Sequence, residues 1–226
     1  LSAPYRPLFD WLTAGGPRPS SNMGGGFLPA MLANPIDRAE LDTLDPAHFR
    51  AEWKWDGIRV QVASSGGVKR LYSRAGEDVS AAFPDIIEAI DFDGVFDGEL
   101  LVRREEAIAP FNDLQQRLNR KTVTRKVLGE VPVVFLAYDL LEWQGLDIRG
   151  QVQQQRRECL ELLGRQVNLR VSELVPFQDF SALKSMREGA RQRGVEGLML
   201  KHGASAYGVG RRKPEGAPSS GWWKWK

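Results

Sequence analysis

Hydrophobic and polar residues alternate in short segments along most of the chain from about residue 50 onward, a pattern typical of half-buried strands. These segments predict strands at 50–63, 68–73, 94–103, 132–141, 167–175, 196–201 and 222–226. Apolar residues spaced three or four apart predict helices at 80–90, 111–118, 151–163 and around 183–190. The mixture of hairpins and crossovers favours an α+β fold, with twisted antiparallel sheets flanked by helices, over a doubly wound one.

Three local signals refine this pattern. The turn sequence "SSGG" at 64–67 separates two of the strands and predicts a hairpin. Pro84 falls inside the segment 80–90 and therefore has to lie in the first turn of its helix. The run "PVVFLAYDLL" at 132–141 is almost continuously apolar, which predicts a strand that is buried on both faces.

Glycine and proline are concentrated in residues 14–26, "AGGPRPSSNMGGG", and predict a linker. We therefore expect residues 1–26 to be a linker or the end of a preceding domain, and residues 27–226 to form one compact domain. The chain begins at Leu1 instead of methionine and closes on "WWKWK", which indicates a piece of a longer protein.

Composition excludes several classes of protein. No apolar run approaches the roughly 20 residues of a membrane span, and no signal peptide opens the chain. The single cysteine, Cys159, excludes an intramolecular disulfide framework and a cysteine-rich zinc site. With only His48 and His202 as histidines, a metal would have to bind mainly through oxygen. This residue usage is typical of a reducing, cytoplasmic compartment.

Basic residues are unevenly distributed although the net charge is only +2. The segment "RLNRKTVTRK" at 117–126 carries five basic residues and no acidic one, and a second basic stretch runs over 187–213. Such runs are usually solvated faces, but two of them in a nearly neutral protein favour a polyanionic partner.

Charged residues occupy one face of several predicted strands, where a sandwich core would need aliphatic side chains. Alternation places Glu52, Lys54 and Asp56 together, opposite Trp53 and Trp55. By the same rule, the further sets that share a face are Asp97 with Glu99, and Trp222 with Lys224 and Lys226. Because unpaired buried charge is costly, these faces must border a wet cleft or pair with one another. A cleft lined by lysines and carboxylates suits a phosphorylated ligand that carries a metal.

No Walker-type phosphate loop is present, so a bound nucleotide would have its phosphates held by lysine and arginine side chains. Tyr138, near the end of a buried strand, is either a core residue or a platform on which a base stacks. Glu196 and Lys201 are five residues apart and would lie on opposite faces of a regular strand. A bulge, or a position at the strand end, is needed if both reach one ligand.

An ordered series of motifs resembles the covalent nucleotidyltransferases, which include ATP-dependent DNA ligases, RNA ligases and mRNA capping enzymes. The series consists of "KWDGIR" (54–59), "LYSRAGEDVS" (71–80), "FDGEL" (96–100), "FLAYDLL" (135–141), "VEGLMLK" (195–201) and "WWKWK" (222–226). The motifs "SRAGED", "FNDLQQRL" and "EGLMLK" are most similar to those of bacterial ATP-dependent DNA ligases. The resemblance implies the adenylation domain of such an enzyme, with the ATP-grasp-like nucleotidyltransferase fold and with the oligonucleotide-binding domain absent.

The resemblance implies that Lys54 attacks the α-phosphate of ATP and forms lysyl-AMP. This requires the neutral amine, and burial among other cations would lower the pKa of Lys54 toward neutrality. The cations implied for this role and for neutralising the phosphates are Lys201, Lys224 and Lys226. Arg74 would contact the nucleotide or the 5′-phosphate of a nick.

The remaining roles concern the nucleoside and the metal. Tyr138 would stack on adenine, while Glu52 and the neighbouring backbone at Trp53 would read the edge of the base. Arg59 would hold the ribose or phosphate end of the nucleotide. Glu99 would bind a ribose hydroxyl or a metal, and Glu196 would help to place Mg²⁺ (or Mn²⁺). The family also has an arginine shortly before its last motif, and either Arg211 or Arg212 could take that role.

The implied substrate is nicked double-stranded DNA, and the implied further partners are the oligonucleotide-binding domain and an N-terminal DNA-binding domain of the same polypeptide. Two alternatives remain open: an RNA ligase or capping-type enzyme, and a non-catalytic nucleic-acid-binding module that kept the fold. The motif residues do not distinguish replication, repair and end-joining.

Overall fold

Two β-sheets make up the framework of the computed structural model. The structure describes residues 26–105, 107–118, 120, 122–211 and 221–226. The predicted linker at 1–25, Arg212 and the segment 213–220 lie outside the described residues. The strands are β1 (Asn34–Pro35), β2 (Phe49–Trp55), β3 (Ile58–Ser65), β4 (Val68–Ser73), β5 (Gly94–Arg104), β6 (Ala107–Ile108), β7 (Val133–Trp143), β8 (Leu146–Asp147), β9 (Leu174–Val175), β10 (Val195–His202) and β11 (Trp222–Trp225).

Helices cover the outer faces of these sheets. They are α1 (Arg38–Leu41), α2 (Pro84–Ala89), α3 (Phe111–Leu118), α4 (Arg125–Glu130), α5 (Gln153–Gln166) and α6 (Phe180–Glu188). Short 3₁₀ turns lie at Pro46–His48, Ser80–Ala82 and Arg191–Arg193. No helix in the described ranges is both long and apolar enough to cross a membrane.

The strand pairing is antiparallel with one exception, the parallel pair β1–β11, among the strands that the structure describes. One sheet has the order β1-β11-β10-β2-β9 and the other has the order β4-β3-β5-β7-β8, with β6 paired to β5. This arrangement confirms the predicted α+β class with antiparallel sheets.

The predicted single strand over 50–63 is wrong, because it is two strands that belong to different sheets. The chain turns at Asp56 and Gly57, between β2 and β3. Gly57 sits so close to β5 that a Cβ atom there would lie 2.3 Å from the carbonyl oxygen of Leu100. A glycine is therefore required where the chain crosses from one sheet to the other.

Gly57→Ala is expected to destabilise the fold by about 1–3 kcal/mol or more, because the added methyl group overlaps backbone that cannot move freely. Chemical denaturation of the variant would measure the loss. Gly129→Ala is the matched control, since a Cβ atom at Gly129 in α4 meets nothing within 4 Å. An equal free energy of unfolding for the two variants would contradict this account of the turn.

Other predicted boundaries are confirmed or shifted for local reasons. The hairpin at "SSGG" is confirmed, with Gly66 and Gly67 at positive φ between β3 and β4. The helix predicted over 80–90 begins only at Pro84, which occupies its first turn as expected. Ser80 lies before this helix, and its hydroxyl accepts a hydrogen bond from the backbone N–H of Leu71. Most of the predicted strand 167–175 is irregular, because α5 continues to Gln166 and Asn168 has a positive φ.

Three hydrophobic clusters hold the layers together. The largest lies between the six-stranded sheet and its helices, and it includes Phe83, Phe96 and Leu160. The second packs α6 against the outer face of the five-stranded sheet through Leu183. The third fills the space between the two sheets, and it consists of Met31, Ala63, Val95, Leu141, Tyr207 and Trp222. Trp222 of this last cluster also lines the cleft described next.

Candidate nucleotide-binding site

A cleft of about 580 Å³ opens between the two sheets. Every residue for which a site role is predicted lines it: Glu52, Trp53, Lys54, Arg59, Arg74, Glu99, Tyr138, Glu196, Lys201, Lys224 and Lys226. Trp53 differs from the others because its side chain packs against the cluster on the outer face of its sheet. The two walls come from different sheets. The turn at Gly57 therefore places the two ends of the motif "KWDGIR" (54–59) on opposite walls.

Lys54 and Glu196 form an ion pair inside the cleft, and Lys226 joins it at 2.8 Å from the same carboxylate oxygen. The register of β10 against β2 shifts between Val195 and Gly197, so Glu196 lies at a bulge, which is one of the two arrangements considered for Glu196 and Lys201. Burial alone would raise the pKa of Glu196, but hydrogen bonds from Lys226 and Lys54 outweigh it and lower that pKa. Glu196 is therefore an ionised acceptor beside the amine.

Lys201 lies in a different environment from the one predicted. Its ammonium group is buried, donates to the carbonyl oxygen of Tyr138 at 2.8 Å and lies 2.6 Å from Oε1 of Glu52. It thus belongs to a buried ion pair with Glu52, and it is not free to neutralise phosphates as expected. Lys201 is therefore not one of the cations beside Lys54, whereas Lys226 is, because it shares the carboxylate of Glu196.

Arg59 is held by the protein on three sides. Its guanidinium donates to both carboxylate oxygens of Asp97, at 3.1 and 2.7 Å, and to the carbonyl oxygen of Met31 at 2.7 Å. The hydroxyl of Tyr207 donates to Asp97 at 2.6 Å and accepts from Arg59 at 3.2 Å. These contacts fix the guanidinium plane in the wall of the cleft.

Several cations face one another around Lys224. Loss of solvation, together with the positive charges of Arg211, Lys226, Lys54 and Arg74, lowers the pKa of Lys224 below its ordinary value. Mutually repelling cations that line one cleft are suited to a polyanion such as a triphosphate. Of the two arginines considered for the family role, Arg211 lines this cleft, and Arg212 is outside the described residues.

The opposite part of the cleft is aromatic. The rings of Tyr138 and Trp222 meet edge to face, with centroids 6.0 Å apart. Tyr138 is only partly buried by accessible surface and lines the cleft, while burial of its hydroxyl raises its pKa well above the ordinary value. Met199 lines the same region. This slot has the flat, apolar walls that suit a nucleobase.

Glu99 has an unusual protonation state for a carboxyl group. Burial raises its pKa from 4.5 to about 8, although Lys54 and Arg59 act in the opposite direction. The group is therefore mostly protonated near neutral pH in the unliganded chain. A cation or a hydrogen-bond donor that arrives in the cleft would favour its ionised form.

The raised pKa of Glu99 makes stability depend on pH. Between about pH 4.5 and 8 the folded chain keeps a proton that the unfolded chain has released, so stability should fall as pH rises through this window. In Glu99→Gln, which mimics the protonated group, the melting temperature should decline less between pH 5 and 8, by on the order of a few °C. Melting curves across this range test it. Glu130→Gln, at an exposed site, is the control, and a wild-type slope in Glu99→Gln would contradict the assignment.

Some lining residues were not assigned a role from the sequence. Alternation places Trp222 on the same face as Lys224 and Lys226, which was a signal for its position, although stacking was predicted only for Tyr138. Tyr207 and Asp97 support Arg59 from behind, and no spacing rule connects residues 110 positions apart. Phe111 and Ser73 also line the cleft.

Three residues of the two basic runs are held by contacts within the fold. Arg117 in the first run is completely buried, where it bonds to Asp85 and to the carbonyl oxygens of Ala82 and Val131. In the second run Lys201 is buried, and Arg187 stacks on Trp225 with its guanidinium carbon 4.6 Å from the ring centre. These three residues stabilise the fold instead of forming an open basic surface.

Similar proteins are known for most of the chain. A family model described as "ATP dependent DNA ligase domain" matches residues 30–226. A probable DNA ligase from Koribacter versatilis is 32% identical over 209 residues, covering 80% of this chain and 36% of that protein. The multifunctional non-homologous end joining DNA repair protein LigD of Mycobacterium tuberculosis is 35% identical over 173 residues, covering 75% of this chain and 21% of that protein.

Solved structures show the same relationship. The ligase domain of M. tuberculosis LigD superimposes with a TM-score of 0.67 at 32% identity, covering 87% of this chain and 58% of that one. A mycobacterial DNA ligase D complexed with ATP and MES gives the same score and identity, covering 87% of this chain and 59% of that one. The chain spans only about a third or less of the length of these two curated relatives.

Proposed function

Because the chain belongs to the family of ATP-dependent DNA ligase domains, we propose that Lys54 is the nucleophile that takes AMP from ATP. The observation that carries the proposal is the position of Lys54 in one cleft between two chemically different regions. Glu52, Tyr138 and Lys201 form the nucleobase region, and the cations around Lys224 form the phosphate region.

In the proposed step, the lone pair of the Lys54 amine attacks the α-phosphorus of ATP. A nitrogen–phosphorus bond forms, the bond from the α-phosphorus to the bridging oxygen breaks, and pyrophosphate leaves with both electrons of that bond. The amine has to shed a proton to become nucleophilic. Glu196 is ionised and within hydrogen-bond reach, so it orients the amine and can accept the proton.

The nucleotide would lie with adenine in the aromatic slot, stacked on Tyr138 and read at its edge by Glu52. Arg59, fixed by Asp97, would face the ribose or the α-phosphate, and Glu99 would contact a ribose hydroxyl. The β- and γ-phosphates would be neutralised by side chains around the mouth of the cleft, namely Arg74, Arg211, Lys224 and Lys226. This order follows the distribution of apolar and cationic side chains along the cleft.

Mg²⁺ fits this set of donors. Mg²⁺ keeps several waters and binds through one or two carboxylates together with substrate phosphates, and Glu99 and Glu196 both line the cleft. Glu99 and Glu196 would hold it. When bound, Mg²⁺ neutralises phosphate charge and so makes pyrophosphate a better leaving group.

We further propose that AMP passes from Lys54 to the 5′-phosphate of a nick in double-stranded DNA, after which the strands are joined. The support is the similarity to proteins named as DNA ligases. Binding of an oligonucleotide-binding domain and of an N-terminal DNA-binding domain is part of the same proposal, since such partners would align the leaving group and the nick.

Intact-mass measurement after incubation with ATP and Mg²⁺ tests the first step. We expect a gain of one AMP, located at Lys54 by peptide mapping, and no equivalent gain with GTP. A stable adduct at another residue, or equal labelling by GTP, would overturn the assignment. Mixing the adduct with nicked duplexes of DNA and of RNA then distinguishes the DNA ligase from the RNA ligase and capping-type alternatives.

A further inference from the structure

Arg157 is a buried cation to which the proposed reaction gives no role. It projects from α5 and lines a separate, open depression together with Glu161, Gly164 and Arg165. Its Nε donates to Glu161 at 2.6 Å, and one terminal nitrogen donates to the carbonyl oxygen of Ser172 at 2.7 Å. These two bonds fix the guanidinium plane.

The second terminal nitrogen of Arg157 faces Glu52, a residue that lines the nucleotide cleft. It lies 3.5 Å from Oε1 of Glu52 and donates no hydrogen bond within the described part of the chain. The same oxygen lies 2.6 Å from the ammonium of Lys201. Glu52 is only 2% exposed, so two cations from different elements compensate one buried carboxylate. Removal of either would leave that charge poorly compensated.

An ionised carboxylate only accepts hydrogen bonds. Arg157 and Lys201 both lie beside Oε1 of Glu52. Its other oxygen, Oε2, accepts no hydrogen bond from the residues that the structure describes and is therefore available to a base. It can accept from the 6-amino group of adenine, whereas the 6-oxo group of hypoxanthine or guanine would face it with a second acceptor.

We propose that Arg157 is a positioning residue which, together with Lys201, holds the carboxylate of Glu52 in place, and thereby sets the preference for 6-aminopurine over 6-oxopurine nucleotides. The inference rests on the proposed contact between Glu52 and adenine. It assigns part of the nucleotide specificity to a side chain of α5 that lies outside the cleft.

Calorimetric binding of ADP and IDP tests it, because the two ligands carry the same phosphates and differ only in the base. We expect the wild-type chain to prefer ADP, and Arg157→Gln to reduce the ratio of the two affinities by about tenfold, the loss of one charged hydrogen-bond acceptor. Arg165→Gln, on the same helix and beside the same depression, should keep the wild-type ratio. In a Glu52→Gln background, Arg157→Gln should change the ratio no further.

A merely structural role for Arg157 would lower both affinities by the same factor and leave their ratio unchanged, and this result would overturn the proposal. Should Arg157→Gln not fold, Arg157→Lys decides the question. Lysine keeps a cation but cannot bond Ser172 and approach Glu52 at once, so the ratio should fall at least about threefold. An unchanged ratio in that variant would also overturn the proposal.

The failure of this inference is distinguishable from the failure of the proposed function. A wild-type chain that binds ADP and IDP equally, yet acquires AMP on Lys54 from ATP, would overturn the role of Arg157 and leave the nucleophile in place. A chain that binds neither nucleotide and acquires no AMP would remove both.

Discussion

Lys54→Arg is expected to abolish the transfer of AMP to the protein, with a loss of at least about 1,000-fold in rate, as for removal of other catalytic nucleophiles. The substitution keeps a positive charge beside Glu196, so binding and folding should change little. Arginine stays protonated at every relevant pH and offers no lone pair for attack on phosphorus. Intact-mass spectrometry over a time course with ATP and Mg²⁺ measures the effect.

Lys126→Arg is the matched control for this experiment, because Lys126 is exposed on α4 and pairs only with Glu130 among the described residues. Its rate of adduct formation should equal that of the wild-type chain. Measurable AMP transfer by Lys54→Arg, in a preparation free of wild-type protein, would show that another residue is the nucleophile.

Arg156→Met is expected to cost about 3–5 kcal/mol of unfolding free energy, the range for breaking a buried ion pair from one side. Arg156 is completely buried, and its guanidinium bonds both oxygens of Asp139 at 2.8 and 2.9 Å. It also donates to the carbonyl oxygens of Gln151 and Ser205. Its loss would leave the carboxylate of Asp139 buried without its cation. Denaturant titration measures the change.

Arg149→Met provides the comparison, since Arg149 bonds both oxygens of Asp147 in similar geometry but near the surface. That variant should lose less than about 1 kcal/mol. Combining Arg156→Met with Asp139→Leu should recover part of the stability, because no unpaired charge then remains buried. A surface-like cost for Arg156→Met would contradict the assignment of the pair as a buried one.

Residue patterns along single strands predicted which side chains line the cleft, because alternation fixes which side chains share a face. This is why Glu52 and Lys54 were placed together, and why Lys224 and Lys226 were placed on one wall. The same rule does not determine the sheet to which a strand belongs, so the crossing at Gly57 was missed. It depends on the approach of β5, which lies about 40 residues further along the chain.

Pairing between distant side chains was the second limit. The resemblance implied that Lys201 neutralises phosphates, but in the folded chain its ammonium group pairs with Glu52, 149 positions away. Arg157 was predicted only as part of the helix 151–163, because its neighbours in sequence do not indicate that it lies beside Glu52 on β2. Burial of a charge is decided by tertiary packing, and no local pattern reports it.

The order in which the strands are synthesised determines when the chain could accept AMP in the proposed reaction. β2 pairs with β10 and β9, while Lys54 meets a carboxylate that lies 142 residues later in the chain. A nascent chain that has emerged only as far as β7 therefore carries Lys54 without the strands that surround it. If Lys54 is the nucleophile, as proposed, AMP can be loaded only after β10 and β11 have left the ribosome and joined the sheet. Prematurely terminated chains would consequently remain unloaded and could not divert ATP.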